Sequence, residues 1–99
     1  MLKEKIWEFD CELFFNGNVI NQFTITDHFQ ISHSEIKIET IVKIVNKLNN
    51  EEIESLNYVG NREVFSWKVF YQGKNYRLIF WFKDQTTDHL WIRNCYRID

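Results

Sequence analysis

The chain has no proline and no alanine, and its three glycines stand far apart at 17, 60 and 73. Alanine is the best helix former, so its absence argues against a helical bundle. Three scattered glycines cannot build a phosphate-cradling loop, and there is no GxSxG nucleophile elbow. No apolar run approaches the length needed to cross a bilayer; the longest, residues 78–82, spans five residues. The two cysteines, Cys11 and Cys95, fit neither a CxxC pair nor a Cys/His zinc spacing. The first ten residues carry charges and no apolar core run, so no secretory leader is expected. The reading is a cytoplasmic protein with reduced thiols, no membrane contact and no cofactor.

What is present points to a sheet. Ninety-nine residues suit a single domain, residues 1–99. Apolar types reach 44% and aromatic types 17%, too greasy for a disordered chain. Nine Phe, four Trp and four Tyr can fill a small core efficiently. With Ile, Val and Thr they are the strand formers. The net charge of −2 conceals a split. Residues 1–61 hold five Lys and no Arg against ten acidic residues; residues 62–99 hold three Lys and four Arg against four. All four arginines, Arg62, Arg77, Arg93 and Arg97, therefore lie in the last third, and arginine suits forked phosphate contacts. They serve equally as ordinary solvated strand residues.

Along the chain, residues 6–15 alternate, with Trp7, Phe9, Cys11, Leu13 and Phe15 on one face and Glu8, Asp10 and Glu12 on the other. Asn16-Gly17-Asn18 signals a turn into a return strand, 19–25. Thr26 or Asp27 can cap a short helix over 27–33. A second helix is predicted over 34–49, where Ile38, Ile41, Val42, Ile44, Val45 and Leu48 form a stripe, with Asn49-Asn50 as its stop. Residues 51–61 read as an acidic loop with room for one helical turn. Strands follow over 62–71, 74–83 and 89–98, the first two joined at Gln72-Gly73. The run 78–82 is apolar on both faces and predicts a central strand covered on both sides. The expected fold is α+β, ordered β-β-α-α-β-β-β, with one or two helices packed on one face of an antiparallel sheet.

The chemistry narrows by elimination. His28 and His33 stand five apart, about 140° around a helix, so they do not chelate one metal as an i, i+4 pair does. His89 is isolated and reads as a satisfied or surface residue. What remains is a metal-independent set on the last two strands: Tyr76, Arg77, Arg93, Asn94, Tyr96 and Arg97. Strand alternation puts Leu90, Ile92, Asn94 and Tyr96 on one face and Trp91, Arg93, Cys95 and Arg97 on the other. RNA cleavage without a metal needs a base for the 2′-OH proton, an acid for the leaving oxygen and cations for the phosphate.

A resemblance adds to this. "ITDHFQISHSEI" precedes the amphipathic "IETIVKIVNKLN"; an acidic gap leads to "VFYQGKNYRLIFWF"; and the chain closes with "WIRNCYRID". On these landmarks residues 28–97 resemble the small RelE/ParE-like toxins of the BECR-type ribonuclease superfamily. The resemblance implies a RelE-like fold, a metal-independent endoribonuclease acting on mRNA or tRNA, and a cognate antitoxin that blocks the site. By the same resemblance His28, Arg77, Tyr96 and Arg97 are the catalytic candidates, and His33, Tyr76, Arg93 and Asn94 the RNA-binding ones. The chain departs from those toxins in its mildly acidic charge and its larger N-terminal hairpin, and some ParE-like members cleave nothing.

Each candidate has a plainer reading. Tyr96 fits the core with its hydroxyl at the edge, and Arg77 fits a cross-strand pair with Glu63 or Asp84. His28 fits a helix cap, and His33 an exposed segment boundary. The alternative function is a non-catalytic module of the same fold, offering Trp67, Trp81 and Trp91 to a protein partner.

Overall fold

The computed structural model describes residues 5–28, 36–60 and 62–98. Strand β1 (Ile6–Phe15) turns at Asn16-Gly17 into β2 (Asn18–Thr26). Asn16 and Gly17 both take positive φ, 50° and 78°, the pattern that joins twisted strands in a two-residue hairpin. The chain then reaches helix α1 (Ile38–Asn46), the short strand β3 (Asn57–Val59), and the meander β4 (Arg62–Tyr71), β5 (Lys74–Phe82) and β6 (His89–Ile98). The sheet order is β1-β2-β6-β5-β4-β3.

The expected α+β arrangement does not hold. The described residues form six strands and one helix, and the sheet is mixed: β2 runs parallel to β6, with Phe23 opposite Leu90 and Ile25 opposite Ile92. The meander leaves one side of β6 unpaired, and the N-terminal hairpin docks there through β2. Alternation shows which face a strand buries but not which strand it pairs with, so sequence periodicity is silent on this parallel joint. The supposed loop 51–61 contains β3, which pairs antiparallel with β4. The first expected helix, 27–33, lies almost wholly outside the described residues.

Helix α1 forms for the reason its stripe suggests. Ile41, Ile44, Val45 and the following Leu48 are fully buried in one cluster with Phe15, Phe65, Leu78 and Phe80. Burying each such side chain contributes about 1.5–3 kcal/mol. The unfavourable helix propensity of β-branched residues is at most about 0.7 kcal/mol each, so packing wins. No side chain caps its start, but Glu39 in the first turn and Lys43 in the last complement the dipole. The helix ends at Asn46, three residues before the expected Asn49-Asn50 stop, with Lys47 as its C-cap. The Asn pair instead ties the following turn to β1, Asn50 with φ 69° donating its N–H to Phe14 O at 2.6 Å and Asn49 Oδ1 accepting from Phe14 N–H at 2.8 Å.

Residues 78–82 sit in β5, between β4 and β6 and thus inside the sheet. Their two faces differ. Leu78 and Phe80 are fully buried under the core, whereas Ile79 and Trp81 are half-buried on the opposite, outer face. Among the described residues no second helix covers that outer face.

Candidate nucleic-acid interface

A β-bulge decides which side chains share the outer face. In the β5–β6 ladder Ile79 pairs with Asn94 but Phe80 pairs with Ile92, leaving Arg93 as the extra residue. The phase of β6 therefore flips at Arg93. Leu90, Ile92 and Cys95 all point into the core. Strict alternation across 90–97 fails for this reason: Asn94 and Tyr96 part company with Leu90 and Ile92 and join Trp91 on the outer face. Two hydrogen bonds hold the bulge. Thr26 Oγ1 donates to Arg93 O at 3.2 Å, and Asn94 Oδ1 accepts from Cys95 N–H at 2.9 Å.

Three cross-strand pairs then run along the outer face: Trp81 with Trp91, Ile79 with Asn94, and Arg77 with Tyr96. Arg77 Nη1 donates to Ser66 Oγ at 2.7 Å, not to the Glu63 or Asp84 carboxylates. Asp84 instead binds Arg62, Nη2 to Oδ1 at 3.0 Å, and Glu63 accepts from the Tyr58 hydroxyl at 3.2 Å. The Arg62 guanidinium lies over the Trp81 ring, 4.5 Å from its centroid.

Arg62, Trp81, Lys83, Asp84, Trp91 and Arg93 line a cleft of about 470 Å³. A second cleft of about 700 Å³ adjoins it and shares Arg62, Lys83 and Asp84. Among the described lining residues three are basic, Arg62, Lys83 and Arg93, and one is acidic, Asp84. The arginines concentrated in the last third of the sequence thus partly converge, and they do so beside two indoles.

The other candidates are placed differently. Tyr76 is buried on the inner face, opposite Val69, and Arg97 pairs with Tyr76 on that side. Neither Tyr76 nor Arg97 shares a face with Arg77 and Tyr96, because each is the immediate strand neighbour of an outward residue. Trp67 also faces inward, opposite Leu78 and packed against the core. His28 follows Asp27 just past the end of β2, where Asp27 N–H donates to Lys5 O at 3.0 Å. His33 lies outside the described residues.

One residue set aside at the sequence level is placed tellingly. His89 is buried, and its Nε2 shares a 2.7 Å hydrogen bond with Thr24 Oγ1 across the parallel joint. Burial pushes its pKa down, Lys83 pushes it further, and Glu8 and Asp88 pull partly back. No spacing rule could have found this pair, because 65 residues separate its members.

Among the described residues no group of three or more His, Cys, Asp and Glu side chains stands close enough to hold a metal ion. None of their helices is long and apolar enough to cross a membrane. No protein-family model, curated protein or solved structure matches this chain.

Proposed function

We propose that the chain binds single-stranded RNA across the outer face of its sheet and cleaves it without a metal. The observation that carries this reading is the bulge at Arg93, which turns Tyr96 to the outer face opposite Arg77, one cross-strand pair away from Trp81 and Trp91. Bases stack on exposed aromatic rings, and cations follow the phosphates between them. In the proposed reaction Arg77 holds the scissile phosphate. His28, two residues past the end of β2, takes the 2′-OH proton. The 2′ oxygen attacks phosphorus, the bond to the 5′ oxygen breaks, and the Tyr96 phenol donates a proton to that leaving oxygen. The products are a 2′,3′-cyclic phosphate and a 5′-hydroxyl. Asn94 supports the bulge that aims Tyr96, and Arg93 adds charge for the neighbouring phosphate.

The likeness of "VFYQGKNYRLIFWF" and "WIRNCYRID" to the toxin motifs supports a toxin setting. In that setting the protein acts on cellular RNA in the cytoplasm, and a cognate antitoxin covers the same face. The test is incubation of the purified chain with end-labelled mRNA and tRNA in EDTA. Fragments bearing 5′-hydroxyl ends are expected; intact RNA, including ribosome-bound message, overturns the proposal.

A second reading has its own support. Tyr76 and Arg97, two residues a cleavage site would use, lie on the inner side of the sheet. A non-catalytic module that offers the Trp81–Trp91 face to a protein partner needs neither. That module leaves RNA intact and keeps its partner when Tyr96 becomes Phe.

A further inference from the structure

The cleft between β4, β5 and β6 carries an unmet electrostatic arrangement. Arg62 lies over the Trp81 ring, 4.5 Å from its centroid, and reaches Asp84 through Nη2 alone. Its Nε is buried and has no hydrogen-bond partner. A buried donor without an acceptor is destabilising, so this guanidinium is half-satisfied. The Asp84 side chain is 77% exposed, so it leaves at little cost. Trp91 stands beside this arrangement, directly across from Trp81, and among the described residues no ring or cation is stacked on it.

We infer that this cleft is a nucleotide subsite in which an unpaired RNA base stacks on Trp91 while its phosphate displaces Asp84 from Arg62. A phosphate has the oxygens to accept from Nε and Nη2 together, the forked contact that a single carboxylate oxygen does not complete. Arg93 and Lys83 add positive charge at the rim. The cleft, about 470 Å³, falls in the size range of small-ligand pockets. Asp84 is thus an internal competitor: it holds the arginine in place on the indole and lowers the affinity for phosphate. The inference deepens the RNA-binding reading above but stands apart from cleavage.

The experiment follows tryptophan fluorescence during titration with two probes, a 2′-O-methyl hexanucleotide and a nucleoside 5′-monophosphate. The first cannot be cut, because its 2′ oxygen is blocked. Quenching by the hexanucleotide is expected. Trp91→Leu should weaken its binding by about 5- to 150-fold, the range for one lost base stack. Asp84→Ala should tighten it several-fold, which a merely structural salt bridge does not produce. Circular dichroism checks that Trp91→Leu folds, and Asp84, on the surface, gives an independent variant. No quenching by either probe overturns the subsite, as does Asp84→Ala binding that is unchanged or weaker. Monophosphate binding as tight as the hexanucleotide's overturns the assignment to RNA. Hexanucleotide binding with no cutting of the matching RNA overturns the ribonuclease and leaves the subsite standing. Cutting that ignores both substitutions does the reverse.

Discussion

Arg77 lies directly opposite Tyr96 across β5 and β6, and its guanidinium is tied at 2.7 Å to Ser66 on β4. The pair therefore sits on three hydrogen-bonded strands, a rigid platform for a group that must hold a phosphate. Removing the clamp by Arg77→Ala should cost about 2.7–4 kcal/mol of transition-state stabilisation. Tyr96→Phe should slow cleavage by about 10²–10⁴-fold if its proton is the one transferred. Arg77→Lys should recover little, since an ammonium lacks the planar fork. Single-turnover rates on labelled RNA check all three, and cleavage that survives the first two substitutions shows that other residues act.

Acid should weaken the fold through His89. Its folded pKa lies below its ordinary value of 6.5, chiefly through burial. Above that value the ring is neutral in both states and the contribution is constant. As the pH falls below it, the unfolded chain takes up the proton first, so stability drops until the folded pKa is passed. Denaturant melts at pH 7.5 and 5.5 should show a larger loss for the wild type than for His89→Gln. An equal loss in both would rule His89 out as the source.

The thiols should be slow. Cys95 is fully buried and its pKa is pushed up to about 12; burial, then the Asp10 carboxylate, raises that of Cys11 to about 11. Only the thiolate attacks a disulfide reagent. Relative to a thiol of pKa 9.0, the thiolate fraction at pH 8 falls about 100-fold for Cys11 and about 1000-fold for Cys95. Both cysteines are free. An aromatic disulfide reagent should therefore label Cys11 slowly and Cys95 only on unfolding; rapid labelling of both in the native protein would contradict the packing described.

The β4–β5 turn offers a clean backbone measurement. Gly73 takes φ 80° and a Cβ there would meet nothing within 4 Å. Gly73→Ala is therefore free of clash, and its cost is the left-handed backbone alone, about 1–2 kcal/mol. Gln72 already bears such a strain at φ 50°. Gln72→Asn should stabilise the hairpin, because asparagine tolerates this region better. Urea midpoints at unchanged slope read both effects, and a neutral Gly73→Ala would mean that the turn relaxes to another type.

Local chemistry determined much of this molecule on its own. The turns at Asn16-Gly17 and Gln72-Gly73, the alternation of β1 and the stripe of α1 are legible because each depends on neighbours within a few residues. The expectation of an all-antiparallel sheet failed where pairing was the question. Nothing local tells β2 to lie parallel to β6, and the short β3 has no buried residue to mark it. The candidate site depended most on tertiary structure. The residue types were visible, but one extra residue in β6 reversed the phase of everything after Arg93. That bulge put Asn94 and Tyr96 on the outer face with Trp91 and Arg77 and left Arg97 on the far side. A bulge is set by how two strands register against one core, and that exists only once the sheet has formed.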